Sequence, residues 1–148
     1  MILKKKTIHL ASALVLLALI LPGCRRTPDE VRVREAIAAM AQAAEAGSAG
    51  NVGKPLSEDF DGNAGRLDRR GLTGMVRLLA LRGDHVGVTM GPVSIERRGE
   101  RIMATFTVTL TSGGKLLPDQ LGVYNVESAW RSEDGGWRCY TATWERVM

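Results

Sequence analysis

Between Ile102 and Leu110 every second residue is apolar. Ile102, Ala104, Phe106, Val108 and Leu110 alternate with Met103, Thr105, Thr107 and Thr109. A pleated strand sends successive side chains to opposite sides, so this run predicts a strand with an apolar face and a threonine face. Gly122 to Arg131 repeats the pattern: Tyr124, Val126, Ser128 and Trp130 share one side, and Asn125, Glu127 and Arg131 share the other. Upstream, Val86, Val88 and Met90 have one parity and Val93 and Ile95 the opposite one. A bulge at Gly91-Pro92 would bring both sets to a single face. The last strand, Trp137 to Arg146, is apolar on both parities, with Trp137 and Cys139 on one and Tyr140, Ala142 and Trp144 on the other. Its inner face is therefore open from pattern alone. Arg98-Gly99-Glu100, Ser112-Gly113-Gly114 and Asp134-Gly135-Gly136 supply the turns.

Helical spacing precedes the strands. Val33, Ile37, Met40, Ala41 and Ala44 form one stripe, while Arg34, Glu35, Gln42 and Glu45 face away. Thr27-Pro28-Asp29-Glu30 reads as the start, with Thr27 as N-cap, Pro28 at the first helical position and Glu30 closing a capping box. Gly47 stops the helix. Ser48 to Pro55 reads as a glycine-rich loop, and Leu56 to Gly62 as a single turn carrying Phe60. Asp68 caps a second helix, about residues 69 to 82, whose inner face is Leu72, Met75, Val76 and Leu79 and whose end is Gly83. Gly71 and Gly74 lower its propensity but would admit a neighbouring backbone.

The first residues follow other rules. Lys4, Lys5 and Lys6 precede a run from Leu10 to Ile20 that is apolar apart from Ser12, and Leu21-Pro22-Gly23-Cys24 follows. Charged, apolar and small-residue regions in this order predict a secretory signal, too short to span a bilayer, which needs roughly 20 apolar residues. Leu21, Gly23 and Cys24 resemble the lipobox of bacterial lipoproteins. That resemblance implies cleavage between Gly23 and Cys24, a diacylglyceryl thioether on Cys24 and an acyl chain such as palmitate on its nitrogen. It implies a periplasmic location at the membrane, and Arg25 after the cysteine implies the outer membrane. The expected organisation is a signal over residues 1–23, a lipidated tether over 24–28 and one domain over 29–148. Four residues of tether reach at most ~14 Å, so the domain would lie at the lipid surface.

This alters the reading of composition. The formal charge is +4, from 20 basic and 16 acidic residues. Without the three lysines the mature chain has 17 basic against the 16 acidic residues and is nearly neutral, which argues against nucleic acid as a partner. There are two cysteines. Lipid on Cys24 leaves Cys139 unpaired, best read as a small buried apolar residue. The only mature histidine is His85 and no cysteine–histidine cluster exists, so no metal site and no cofactor are expected.

Two amphipathic helices followed by hairpin-connected strands with one apolar face describe an α+β domain, with helices packed on one side of a curved antiparallel sheet. The order and spacing over about residues 29 to 146 resemble the nuclear transport factor 2-like superfamily, also called cystatin-like or SnoaL-like. The resemblance rests on the long first helix, the acidic and aromatic pair Asp59-Phe60, the second helix and three long strands. The ending Gly136-Trp137-Arg138-Cys139, with Trp144 and Glu145 behind, is similar too. It implies a cone-shaped domain and leaves activity open, since that superfold hosts isomerases, dehydratases, binding modules and association domains.

Five of the seven mature aromatic residues fall after Tyr124 or on it: Tyr124, Trp130, Trp137, Tyr140 and Trp144. Core packing accounts for most of them. Phe60, Tyr124 and Trp130 are the candidates for lining a pocket. For catalysis the candidates reduce to Asp59 and Asp61, each also readable as a turn or cap residue. The isomerases of the superfamily pair an aspartate base with a tyrosine and a protonated acid, and the first helix has no tyrosine. The expected function is a membrane-anchored binding or interaction module for a partner protein, a peptide or an apolar small ligand. A small isomerase or hydrolase using Asp59 or Asp61 is the first alternative, and a homodimeric envelope scaffold the second.

Overall fold

The computed structural model describes residues 27–112 and 121–148. The apolar run, Leu21 to Cys24, and the Gly113-Gly114 turn lie outside the described residues. Helix α1 spans Asp29–Glu45, α2 Ala49–Gly53 and α3 Arg69–Leu81. The strands are β1 Leu56–Gly62, β2 Leu67–Asp68, β3 Val86–Met90, β4 Ser94–Arg98, β5 Arg101–Ser112, β6 Gly122–Glu133 and β7 Gly136–Arg146. They form one seven-stranded sheet in the order β2-β1-β7-β6-β5-β3, with β4 also on β5.

Several expectations need correction. Pro28, not Thr27, occupies the N-cap of α1, and no side chain caps that end. The carboxylate of Asp29 instead accepts hydrogen bonds from Trp137 Nε1 at 2.9 Å and Arg97 Nη1 at 3.0 Å, pinning the helix start to β7 and β4. The expected loop at 48–55 contains α2. Its glycines disfavour helix, but Ala49 and Val52 are buried, and that burial outweighs propensity. Residues 56–62 are a strand rather than a turn. β1 runs parallel to β7, so the sheet is mixed rather than antiparallel throughout.

Other local signals act as the pattern predicts. Asp68 accepts from the Gly71 N–H at 2.7 Å and caps α3. The ends of α1 and α3 share one device. Ser48 N–H bonds back to Ala43 O and Asp84 N–H to Leu79 O, around Gly47 at φ 67° and Gly83 at φ 71°. At Gly47 a side chain would also strike Ala80 of α3. Thus one glycine both reverses the chain and lets the α1–α2 connection approach α3. Gly74, by contrast, has open space above it, so no backbone approaches there.

Two bulges decide which side chains face inward. Met90 pairs with Val108 and Ser94 with Thr105, so three residues of the edge chain oppose two of β5. Gly91 N–H still bonds Thr107 O at 2.8 Å. The extra residue brings Val93 and Ile95 to the face of Val86, Val88 and Met90. On β7, Cys139 pairs with Trp130 but Thr141 with Ala129. Tyr140 is the additional residue. It swings to the outer face, where Arg131 and Arg101 lie over its ring at 5.1 and 5.6 Å. Trp137 and Cys139 before the bulge and Ala142 and Trp144 after it then share the inner face, the assignment that parity left open.

α1 lies along the β3–β4 edge. Arg34 donates to Val93 O, and the Glu45 carboxylate accepts from Val88 N–H at 2.9 Å. Edge-strand groups that would otherwise await another chain are thereby occupied. α3 packs over β1 and β2, on the other flank of the sheet.

Candidate functional site

The inner face changes character along its length. At one end Val33 and Ile37 of α1 meet Leu56, Ile102, Ala104, Trp130, Trp137 and Cys139, all buried, with Val33, Ile102 and Ala104 at 0% exposure. Toward the other end the same strands continue through Phe106, Val108, Leu110, Tyr124, Val126 and Trp144, all only half-buried. No residue of α3 is fully buried. Between α1, α3 and this half of the sheet lies an open cavity of about 360 Å³.

Its lining is almost wholly apolar. Met40 and Ala44 come from α1, Leu72 and Leu79 from α3, and Val88 and Phe106 from the sheet. Among the described residues, Asp84, just ahead of β3, is the one charged residue of the lining. Trp130, 1% exposed, forms the floor, with Nε1 donating to Ser128 Oγ at 3.0 Å. The Ser128 hydroxyl in turn donates to Ala104 O at 3.3 Å, so these buried polar tips satisfy one another without a ligand.

Phe60, Tyr124 and Trp130 all line the cavity. Asp59 and Asp61 do not. A strand sends neighbouring residues to opposite sides, and Phe60 points inward from between them. The Asp59 side chain is 64% exposed and pairs with Arg131 at 2.7 Å on the outer face. The Ser57 hydroxyl and the Arg131 guanidinium hold its carboxyl below the ordinary value. Asp61 accepts from the Gly65 N–H within the turn that follows β1. His85 is exposed, just ahead of β3. Cys139 is buried and free, and burial pushes its thiol up to about 12, far from the thiolate that reactivity requires.

Sequence reasoning missed Asp84, and it missed Leu56 and Phe60 as parts of a strand; the stripe of α1, with Met40, Ala41 and Ala44, was legible. The stripe of α3 was legible, but not that it would be half-covered. A second depression, about 720 Å³ and polar, lies outside α3, between α2 and the ends of β1 and β2. Arg69, Arg70, Thr73, Arg77, Glu58 and Asp68 line it. No group of three or more metal-binding side chains occurs among the described residues.

An α1 helix and a strongly curved mixed sheet around an apolar cup invite comparison with solved folds. A protein from Novosphingobium aromaticivorans described as NTF2-like with a cystatin-like fold superposes with TM-score 0.63 over 93% of this chain and 88% of its own, at 19% identity. The fold is NTF2-like. A candidate dehydratase of the NTF2-like family from Streptomyces avermitilis gives TM-score 0.65, covering 81% of this chain and 96% of its own at 16% identity. Aln2 from another Streptomyces gives TM-score 0.65 over 78% and 88%, at 14% identity. No protein-family model matches the sequence, and no curated protein does. Identities this low carry the architecture and leave the chemistry to the site itself.

Proposed function

We infer that this NTF2-like domain is a binding module that holds an apolar small molecule in its cavity without reacting with it, and that Cys24 anchors it by lipid to the periplasmic side of a bacterial envelope, at the outer membrane. The cavity carries the reading. At about 360 Å³ it falls in the range of roughly 300–1,000 Å³ common to small-ligand sites. Its lining, apolar apart from Asp84, Tyr124 and Ser128, offers mainly burial. A general acid or base must reach the reacting atoms, and Asp59 and Asp61 face away from the cavity. The scaffold alternative has less support. The outer sheet face presents Thr105, Asn125, Glu127 and Thr143, all exposed. The exposed large apolar residues among the described ones lie elsewhere, on the helices and at the C-terminus.

The test is titration of the full chain with N-phenyl-1-naphthylamine, a neutral apolar fluorophore that brightens in dry sites. Val126→Trp places an indole between Phe106 and Trp144, its cross-strand neighbours. Expected is saturable binding by the wild type, weakened tenfold or more in Val126→Trp with unchanged circular dichroism; equal affinity in both would refute a ligand cavity. For location, Cys24→Ser releases the protein from the membrane fraction, and wild-type sedimentation of that variant would refute the anchor.

A further inference from the structure

α3 carries apolar residues on both of its sides, but only one set is explained by the cavity. Leu72, Val76 and Leu79 line the cup. At about 3.6 residues per turn, Arg70, Arg77, Leu78 and Leu81 fall together on the opposite side, with Gly74 among them. Leu78 is 48% exposed and Leu81 80%; Arg70 and Arg77 are exposed as well. Six large apolar residues are exposed among the described ones, and three belong to this helix: Met75, which lines the cup, and Leu78 and Leu81, which do not.

The charge around them is mainly positive. Residues 66–83 contain five arginines (66, 69, 70, 77 and 82) and a single acid, Asp68. Asp68 is committed to the Gly71 N–H. Glu58 faces the same side from β1 and lines the polar depression with Arg69, Arg70 and Arg77. Among the described residues the ion pairs fall elsewhere, none on Arg70, Arg77 or Arg82. α1 differs, since its exposed side interleaves Arg34 with Glu35 and Glu45.

We propose that the outer side of α3 docks on an anionic phospholipid surface, with Leu78 and Leu81 entering the headgroup boundary and Arg70, Arg77 and Arg82 meeting phosphates. Helices that lie in a membrane interface combine these features, an apolar strip flanked by cations. Each arginine near an anionic leaflet adds to the attraction. A second copy of the chain fits less well, because pairing two such faces would oppose arginines with arginines. The apolar run Leu10 to Ile20 and Cys24 stand just ahead of Thr27, the first described residue. A chain held at a bilayer by either would present α3 to lipid at high effective concentration. Docking by the outer side places the cavity wall, formed by the inner side of the same helix, beside the membrane.

The experiment uses the full chain reconstituted into vesicles of radiolabelled phosphatidylglycerol or of phosphatidylcholine alone. Leu78 is replaced by the photo-crosslinking residue benzoylphenylalanine, and in a control Thr105 on the outer sheet face is replaced instead. Expected are lipid adducts from position 78 in phosphatidylglycerol and none from position 105. Adducts at 78 fall by about tenfold in phosphatidylcholine and in an Arg70→Glu/Arg77→Glu background. Both arginines are exposed and outside the cup, so naphthylamine binding by that background stays unchanged and reports an intact fold. Equal adducts in the two lipids, indifference to the charge reversal, or crosslinks to a second protein chain in place of lipid would each overturn the proposal.

Discussion

The closed and open ends of this domain are made from the same strands. β5, β6 and β7 each enter the closed end with buried residues (Ile102 and Ala104, Ser128 and Trp130, Trp137 and Cys139) and reach the open end with half-buried ones (Val108, Tyr124, Trp144). Side-chain chemistry hardly differs between them; what differs is the cover. The first half of α1 seals the closed end, where Val33 and Ile37 reach the sheet. At the open end α1 has moved over the β3–β4 edge and α3 over β1, and the gap between them is the cavity. Burying apolar area is worth about 25 cal/mol per Å², a contribution the closed end collects and the open end leaves in part to an occupant. Stability and binding are thus separated along one sheet.

That separation can be broken most directly with tryptophans. Trp130→Ala removes a side chain that is 1% exposed and should cost about 3–5 kcal/mol in denaturant unfolding. Trp144→Ala, at the half-covered end, should cost under about 2 kcal/mol while weakening naphthylamine binding. Comparable losses from both would mean that the open end is as much core as the closed one.

A smaller effect sharpens the comparison through pH. Asp29 belongs to the closed end, where the Trp137 indole N–H and then the Arg97 guanidinium hold its carboxyl below the ordinary 3.8. A depressed folded-state value means that the stabilisation is complete above the unfolded pKa and is lost as pH falls through the folded one. Asp29→Asn keeps an acceptor for Trp137 but not the charge for Arg97. It should lower the thermal midpoint at neutral pH, the difference closing in strong acid, with cavity binding unaffected. A gap that persisted below the folded pKa would assign the effect to packing rather than charge.

Much of the sheet was legible because alternation is local. Ile102 to Leu110 and Tyr124 to Trp130 face as their pattern predicts, and the parity change at Gly91-Pro92 marked a bulge. β1 was not legible. Phe60 faces inward between the exposed Asp59 and Asp61, an alternation only a few residues long, and the pairing that makes this a strand comes from β7, far along the chain. The same distance hid the inner side of β7, since nothing near Tyr140 announces the bulge that turns it outward between two arginines. Of the candidate site, the aromatics Phe60, Tyr124 and Trp130 were readable as large apolar groups near the sheet. That Asp59 and Asp61 face away followed only once β1 was known to be a strand.

The sequence by itself determined the periods: two helical stripes, the long strands with their apolar face, the Asp68 cap, and the glycine stops at Gly47 and Gly83. Each depends on residues within a turn or two of one another, where backbone sterics and hydrogen bonding act. Tertiary structure alone decided that the apolar face would be sealed at one end and open at the other. A stripe records which side chains avoid water, whereas a cavity is set by how far apart the covering helices stand, and that distance is fixed by contacts such as Asp29 with Trp137 and Gly47 with Ala80, between residues remote in the chain.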